Sequence, residues 1–499
     1  MNKQNPNTTG PIEINDLRSA LELLKTIPHQ FHQTDVAINP DADLAGVYKQ
    51  IGAGGTVERP TRTGPAMLFN NIEGYPDSRV LVGMLASRER VAALLGAPKE
   101  YLGQHVAKAV KNNIAPVIVD QEKALCQEVV HLATDADFDL RKILPAPTNT
   151  PDDAGPYFCL GLVLGSDPEN GHSDVTIHRL CVQGKDEISI YFAPGRHIDT
   201  FRVKAEQAGH ALPVTINMGL DPAILIGACF EAPTTPLGFD ELSIAGGLRG
   251  KAVELVKALT IDQKSIARAE IVIEGEILPN IRVAEDQNTH TGHAMPEFPG
   301  YNGEANQSLP VIKVKAITMR KQAILQTLVG PGEEHTSLAG IPTEASIFNA
   351  VEAAIPGLLK NVYAHTAGGG KFLSVMQIQK RSALDQGRER QAALVALATY
   401  SELKQVILVD EDVDIFDSND VLWAMTTRYQ GEGNTIFIPG VRCHPLDPSQ
   451  NPDFSSSVPG KGISTKTIFD CTVPFHLKEL FKRAKFKEID ATPYLPDWY

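Results

Sequence analysis

The segment HSDVTIHRL, which begins at His172, combines titratable and cationic side chains with apolar residues at alternate positions. Besides His172, its charged or titratable residues are Asp174, His178 and Arg179. Apolar residues at every second position predict a β-strand with one buried face. A polar sheet edge would explain the charges without any chemistry. A strand that carries ligands for a bound group would explain them as well.

A second pattern is a set of three potential metal ligands: Asp174, His197 in YFAPGRHID, and Glu241 in FDELSIAGGLRG. Each is expected at a strand end or turn, where a rigid sheet projects side chains into a shared opening. Two carboxylates and one imidazole form a mainly oxygen ligand set, which suits Mg²⁺ or Mn²⁺ better than structural zinc. The alternative is chance, because an acidic chain of this length contains many such triples.

A third pattern is the segment RVAEDQNTHTGHAMPEFPGY, residues 282–301, with Glu285, His290, His293 and Glu297. Its Gly, Pro and Asn content argues against a helix, so it is either a solvated loop or a loop with proton-transfer groups. The apolar neighbours in AMPEFPGY would raise the pKa of Glu297, as a general acid near neutral pH requires. His290 lies among polar residues, so we expect Glu297 rather than His290 to be the proton donor.

Two glycine clusters are weaker signals. GAGG, residues 52–55, lacks the third glycine of a dinucleotide fingerprint, and AGGGKF, residues 367–372, does not fit the phosphate-loop pattern. Neither cluster predicts a nucleotide-binding loop. Lys371 is expected to be an exposed cation on a flexible loop, with or without a function.

These residues must be positioned by helices and strands, and the sequence predicts an α/β plus β fold in three regions. Residues 1–125 are expected to form an N-terminal α/β domain, whose first helix is capped by Asn15 or Asp16. Residues 126–330 are dense in short strands separated by Gly and Pro, which predicts a split β-barrel. Residues 331–499 are expected to form a C-terminal α/β domain.

Within this C-terminal region, helices are predicted over 343–354 and 390–400, with strands at QVILVD and TIFIPG and a helix capped by Asp417 or Ser418 between them. The basic run KELFKRAKFK, residues 478–487, predicts a C-terminal helix. That helix is either a solvated face or a partner-binding one that mediates oligomerisation.

Composition excludes several classes of protein. The 499 residues carry a formal net charge of -14, which argues against a nucleic-acid partner because phosphate contacts need a basic face. No window approaches the ~18 uninterrupted apolar residues of a membrane span, so we expect a soluble, cytoplasmic protein. The 6 cysteines contain no CxxC pair, so neither a zinc ribbon nor a disulfide framework is predicted.

Several motifs, in order along nearly the whole chain, resemble the UbiD-like decarboxylases, which use prenylated flavin mononucleotide (prenylated FMN). These motifs are GPAMLFNNIEGYP, DVTIHR, PGRH, ELSIAGGLRG, AEIVIEGEI and VILVDEDVDIFDSNDVLWAMTTR. The resemblance implies that the central barrel binds the flavin. It also implies that Asp174, His197 and Glu241 hold Mn²⁺ or Mg²⁺ on the flavin phosphate, with K⁺ as a candidate second cation.

The resemblance also assigns roles along the predicted strand HSDVTIHRL. Arg179 would face the substrate carboxylate, and Glu285 matches the first of the family's two acidic partners for that arginine. Many relatives have the second carboxylate where this chain has His290, so that part of the match fails. The residues that the resemblance places against the cofactor are Asp174, Val175, Thr176, Ile177, His178, Arg179, Arg196, His197 and Glu241.

The version NTHTGHAMPEFPGY resembles the branch of the family that decarboxylates hydroxylated benzoic acids such as protocatechuate, gallate or 4-hydroxybenzoate. In that branch the residue matching Glu297 is the proton donor, and His335, Lys371 and His444 match contacts to the ring hydroxyls. The implied partners are a flavin prenyltransferase that supplies the cofactor, a candidate small accessory subunit, and further copies of the chain.

Other functions remain open at this point. They are a decarboxylase of another aromatic or α,β-unsaturated acid, a conventional flavin oxidoreductase, and a scaffold subunit with a vestigial site. The last is disfavoured because Asp174, Arg179, His197, Glu241 and Glu297 are all chemically competent.

Overall fold

The structure is a computed structural model that describes residues 12–450, 453 and 462–494. The elements of its first part are α1 (Leu17–Lys25), β1 (Phe31–Thr34), α2 (Asp43–Ile51), β2 (Ala66–Phe69), β3 (Arg79–Val82), α3 (Arg88–Leu95), α4 (Leu102–Lys111) and β4 (Val117–Ile118). Those of the middle part are β5 (Val129–Leu132), α5 (Leu140–Ile143), β6 (Tyr157–Ser166), β7 (Ser173–Val182), β8 (Glu187–Tyr191), α6 (His197–Gln207), β9 (Leu212–Met218), α7 (Pro222–Gly227), α8 (Leu242–Arg249), β10 (Glu254–Lys257), β11 (Lys264–Ile266), β12 (Ile271–Val283), β13 (His293–Pro296), β14 (Asn302–Glu304), β15 (Leu309–Met319) and β16 (Ile324–Gln326).

The elements of the last part are α9 (Glu333–Ala354), β17 (Leu359–Ala364), β18 (Leu373–Ile378), α10 (Arg388–Thr399), β19 (Gln405–Asp410), α11 (Ser418–Thr427), α12 (Gly431–Asn434), β20 (Thr435–Arg442) and β21 (Ile463–Cys471). Short 3₁₀ helices occur at Lys99–Tyr101, Gln121–Lys123, Leu125–Gln127, Thr366–Gly368, Ala383–Asp385, Pro448–Gln450 and Phe475–Phe481.

The N-terminal region begins as its caps predict. The Asp16 carboxylate accepts a hydrogen bond from the backbone N–H of Ser19 at the start of α1, and the Ser87 hydroxyl accepts the equivalent bond at the start of α3. The sheet order is β1-β2-β3-β16, so a strand that follows the barrel strands in the sequence completes this sheet. The division into residues 1–125, 126–330 and 331–499 stays a prediction.

The middle region is a closed six-stranded antiparallel barrel, which confirms the predicted fold class. Its strand order is β12-β9-β6-β7-β8-β15, and pairing of β12 with β15 closes the ring. The site strand β7 pairs with both β6 and β8, which places Asp174 opposite Gly165 and Arg179 opposite Tyr191. Both faces of β7 are covered, so the expectation of one buried and one exposed face is wrong.

The C-terminal region is a five-stranded sheet in the order β17-β18-β19-β21-β20, with helices packed against it. The predicted strand QVILVD is its central strand, β19. Helix α9 begins at Glu333, well before the predicted start at 343, and continues through Pro342. The start could not be predicted from hydrophobic periodicity, because the helix is buried on most sides and therefore shows no amphipathic stripe.

The predicted C-terminal helix is not formed over residues 478–487. A 3₁₀ helix, Phe475–Phe481, is followed by residues without regular structure. Leu480 and Phe486 are exposed, so no apolar face packs against a core, and packing is the main source of helix stability. Among the described residues, no helix combines the length and apolar character needed to cross a membrane.

Candidate active site

Asp174, His197 and Glu241 converge from three separate elements. Asp174 lies near the start of β7, His197 is the first residue of α6, and Glu241 directly precedes α8. One ligand atom from each lies within 4.8 Å of the others. The Nδ1 atom of His197 lies 2.8 Å from Oδ1 of Asp174. The structure therefore brings the predicted metal ligands together.

The charges of this cluster fit a divalent cation. Burial raises the pKa of Glu241 to about 9, and the nearby Asp174 carboxylate adds to that shift. The Oε2 atom of Glu241 is buried without a hydrogen-bond partner. Two buried carboxylates with a free ligand atom are an unfavourable arrangement that a bound cation would relieve.

Arg179 forms a second cluster, with two carboxylates from the segment after β12. Its Nε lies 2.8 Å from Oε1 of Glu285, and its Nη1 lies 2.6 Å from Oε1 of Glu297. Its guanidinium also stacks over Tyr191, with Cζ 4.4 Å from the ring centroid. Glu285 is fixed in turn by the Tyr157 hydroxyl at 3.0 Å. The guanidinium is thus held in one orientation.

Glu297 has the environment that the sequence predicts for an acid. Burial raises its pKa, the Arg179 charge lowers it only in part, and the Glu285 charge raises it further. Glu297 directly follows β13, which forms a hairpin with β14. This part of the segment is therefore not helical, as its sequence predicts.

Arg179 and Glu297 line a cavity of about 210 Å³. Its apolar wall includes Met295, Phe298 and Leu338, which is typical of a site for a flat aromatic group. A neighbouring cavity of about 150 Å³ is lined by the cluster of Asp174, His197 and Glu241. Both cavities are lined by Thr176, Ala193, Arg196 and Glu231. The two clusters therefore face one continuous region.

The remaining predicted cofactor contacts also lie here, with one exception. Thr176, Ile177, His178 and Arg196 line the larger cavity, whereas Val175 is buried in the core next to the barrel. Burial lowers the pKa of His178 to about 3, so its imidazole is neutral.

The three predicted substrate contacts, His335, Lys371 and His444, all line the same cavity. Burial lowers the pKa of both His335 and His444 to about 4. Nδ1 of His335 is buried without a hydrogen-bond partner, whereas Nδ1 of His444 accepts from the backbone N–H of Leu446 at 3.0 Å. Both rings lie edge-on to Phe298.

The Lys371 side chain is only 11% exposed, so the expectation of an exposed cation is wrong. Its Nζ lies 3.2 Å from Glu231, 2.5 Å from Glu402 and 2.8 Å from the Tyr400 hydroxyl. Arg196 contacts the same Glu231 carboxylate at 2.7 Å. Sequence reasoning missed Glu231, Tyr400 and Glu402. No local pattern marks them, because loops far apart in the chain bring them together.

His290 does not join the site. It is exposed on a turn, with φ at 53° and its backbone N–H donating to Asp286 O at 2.7 Å. The lining of the larger cavity, as far as the structure describes it, includes Glu297 and not His290. His290 therefore stays a candidate for the catalytic set by sequence alone, and its exposed position on this turn favours Glu297 as the proton donor.

The chain matches one family along most of its length. Residues 28–110, 117–333 and 336–471 match, respectively, the N-terminal, Rift-related and C-terminal domains of 3-octaprenyl-4-hydroxybenzoate carboxy-lyase. The protein belongs to the UbiD family.

Individual relatives extend this result. The chain is 54% identical to gallate decarboxylase of Lactiplantibacillus plantarum over 483 residues, which cover 96% of this chain and 99% of that protein. It is 68% identical to a 3,4-dihydroxybenzoic acid decarboxylase structure from Enterobacter cloacae, with TM-score 0.93 and coverage of 98% and 100%. The UbiD-class enzyme HmfF from Pelotomaculum thermopropionicum, solved in complex with FMN, is 32% identical, with TM-score 0.83 and coverage of 97% and 100%.

Proposed function

We propose that the protein catalyses the reversible, non-oxidative decarboxylation of a hydroxylated benzoic acid to the corresponding phenol and CO₂, with prenylated FMN as cofactor. The substrate belongs to the protocatechuate, gallate or 4-hydroxybenzoate class. The observation that carries this proposal is Arg179, held between Glu285 and Glu297 in a cavity that continues to a buried metal-type cluster. The gallate and 3,4-dihydroxybenzoate decarboxylases among the relatives support it.

Asp174, His197 and Glu241 would hold Mn²⁺ or Mg²⁺ against the cofactor phosphate, with Arg196 beside them. Loss of CO₂ from an aromatic ring leaves an electron pair that side chains cannot accept, and the bound flavin supplies the electron sink. Thr176, Ile177 and His178 of the barrel wall would contact the cofactor.

The side chains of this chain supply binding and proton transfer. Arg179 binds the substrate carboxylate through its planar fork of N–H donors. Glu285 and Tyr191 keep that fork in one orientation. Glu297, whose raised pKa favours the neutral carboxyl, donates a proton at the vacated ring carbon. His335, Lys371 and His444 line the cavity where the ring hydroxyls would lie.

The partners follow from the same proposal. A separate flavin prenyltransferase would supply the cofactor, and a small accessory subunit is a further candidate. The exposed apolar residues Leu480, Phe486 and Ile489 support a homo-oligomer formed through the C-terminal segment.

The test is to purify the protein after co-expression with a flavin prenyltransferase, record its visible absorbance, and measure CO₂ release from a panel of hydroxybenzoates. We expect flavin absorbance, bound Mn²⁺ or Mg²⁺, and CO₂ release from one or more members of the panel. Protein made without the prenyltransferase is the control and should be inactive. Flavin-loaded protein that releases no CO₂ from any member would contradict the proposal.

A further inference from the structure

Glu231 lies where the larger cavity, lined by Arg179, meets the neighbouring cavity, lined by the predicted metal ligands. It belongs to the loop between α7 and α8 and lines both cavities. Nη2 of Arg196 lies 2.7 Å from its Oε1, and Nζ of Lys371 lies 3.2 Å from the same oxygen. One carboxylate oxygen therefore receives both cations.

The Lys371 ammonium is fully engaged by the protein. An ammonium has three N–H donors, and Lys371 has three oxygen partners, on Glu231, Glu402 and Tyr400. A ring hydroxyl could bind Lys371 only by displacing one of them. The role of Lys371 is then to neutralise and position the carboxylates around it.

Glu231 still has capacity to accept a hydrogen bond. Oε2 takes part in neither of the two cation contacts, which both involve Oε1, and a carboxylate offers acceptor sites on each oxygen. The side chain is 20% exposed, at the border of the two cavities. Arg196 and Lys371 balance Glu231 and Glu402 in charge, so the carboxylate stays ionised. Glu231 thus presents a fixed anionic acceptor to a bound aromatic ring.

We propose that Glu231 is a substrate-recognition residue that accepts a hydrogen bond from a ring hydroxyl of the benzoic acid. This inference rests on the proposed function, because it presumes a hydroxylated ring in the cavity lined by Arg179. It explains how the site distinguishes a hydroxybenzoate from benzoate. A phenolic O–H donates to Oε2 of the carboxylate in a charge-assisted bond, whereas benzoate leaves that oxygen desolvated without a hydrogen bond.

The test measures the binding of 3,4-dihydroxybenzoate and of benzoate to flavin-loaded protein by calorimetry. Both ligands are compared in a Glu297→Gln background, which prevents turnover. Adding Glu231→Gln should weaken 3,4-dihydroxybenzoate by about 10- to 100-fold relative to benzoate, the usual range for a hydrogen bond to a charged group. The ratio matters because removing a negative charge alters the affinity of both anions together.

A matched variant controls for structural effects. Glu206→Gln alters a carboxylate paired with Arg202 and Arg282 away from both cavities and should change neither affinity. If Glu231→Gln loses flavin or fails to fold, Glu231→Asp keeps the charge but withdraws the carboxylate, and it should lower the same ratio.

An affinity ratio that is unchanged in both Glu231 variants would overturn the inference and make Glu231 a structural counter-ion. That outcome is distinct from failure of the proposed function, in which flavin-loaded wild-type protein releases no CO₂ from any hydroxybenzoate.

Discussion

Two largely buried charge clusters border the same cavity, and they differ in the ratio of cations to carboxylates. The first contains one cation, Arg179, between two carboxylates, Glu285 and Glu297. The second contains two cations, Arg196 and Lys371, with two carboxylates, Glu231 and Glu402. Among the described residues, no ion pair joins the two clusters.

This ratio decides which cluster can hold a transferable proton. Burial raises the pKa of Glu297, and one arginine shared with Glu285 does not cancel that effect. Burial also acts on Glu231, but Lys371 and Arg196 outweigh it and lower its pKa to about 2. The pKa of Glu402 is likewise lowered, since Lys371 outweighs burial there. A cluster with excess carboxylate suits proton donation, and a balanced cluster suits fixed recognition.

The largest expected effect comes from removing the proton of the first cluster. Glu297→Gln preserves size and can still accept a hydrogen bond from Arg179, but it has no acid proton. Loss of a positioned acid typically reduces the rate by ~10² to 10⁴, and the variant should retain bound flavin. CO₂ release and solvent deuterium incorporation at the vacated ring carbon measure the effect.

The control for this variant is His290→Asn, which changes an exposed residue on a turn outside the cavity and should remain active. A nearly normal Glu297→Gln enzyme beside an inactive His290→Asn enzyme would reverse the assignment and make His290 the acid.

The second-largest effect is expected when the cluster around Lys371 is left with one cation and two carboxylates, as in the cluster around Arg179. Lys371→Met leaves two buried carboxylates with one cation, and breaking a buried ion pair in this way destabilises proteins by about 3–5 kcal/mol. Urea unfolding should show a lower midpoint. Adding Glu402→Gln to Lys371→Met restores the balance of one cation to one carboxylate and should recover part of the loss.

A matched control for this prediction is Lys313→Met, at a partly exposed lysine paired with Asp186 and Glu187. It should change the midpoint much less. Equal losses for the two lysine variants would show that burial and charge balance do not distinguish Lys371.

A smaller effect is expected when the cluster around Arg179 is reduced to one cation and one carboxylate. Glu285→Gln leaves Arg179 with Glu297 alone, and because the Glu285 charge contributes to the raised pKa of Glu297, that pKa should fall. The fraction of neutral Glu297 at neutral pH then decreases, so the alkaline limb of the pH–rate profile should move to lower pH. Initial rates of CO₂ release across pH test this.

Tyr157→Phe is the matched control, because it removes the hydrogen bond to Glu285 but no charge. It should reduce the rate without moving the alkaline limb. A Glu285→Gln profile that keeps the wild-type limb would show that Glu297 does not set it.

The first cluster was predictable from the sequence, and the second was largely not. Arg179 lies on a strand with a recognisable pattern, and Glu297 lies in an apolar segment that itself predicts a raised pKa. Glu231, Tyr400 and Glu402 have no such signature, since each stands in a loop whose partners are distant in the chain. The same limit applies to Lys371, which looks exposed in a glycine-rich segment.

The fold shows the same division. The barrel strands and the capped helices α1 and α3 follow from local periodicity and capping residues. Helix α9 and β16 depend on long-range packing: the first is buried on most sides, and the second completes a sheet formed by residues 31–82. Local patterns report the face that an element buries, but not its distant partners.

The smallest expected effect concerns the neutral histidines beside the balanced cluster. Burial lowers the pKa of His335 to about 4, and the nearby Lys371 charge adds to this shift. Because this pKa lies below the ~6.5 of an unfolded histidine, the neutral ring favours the folded state above pH ~6.5, and that contribution is lost as pH falls towards 4. The expected slope is on the order of 1 kcal/mol per pH unit.

The wild-type stability curve alone does not isolate this effect, because Glu334 acts in the opposite direction. Burial raises its pKa to about 7, so its contribution favours the folded state at low pH and is lost as pH rises from ~4.5 through that value. The difference between wild type and His335→Gln removes the shared contribution. The unfolding midpoints of wild type and His335→Gln, measured between pH 4 and pH 7, should converge as the pH falls. His210→Gln changes an exposed histidine and is the control, whose curve should run parallel to that of wild type. A His335→Gln curve that is also parallel to the wild-type curve would contradict this prediction. It would mean that the His335 ring takes up its proton in the folded protein as readily as in the unfolded chain. The second cluster would then not exclude a further positive charge.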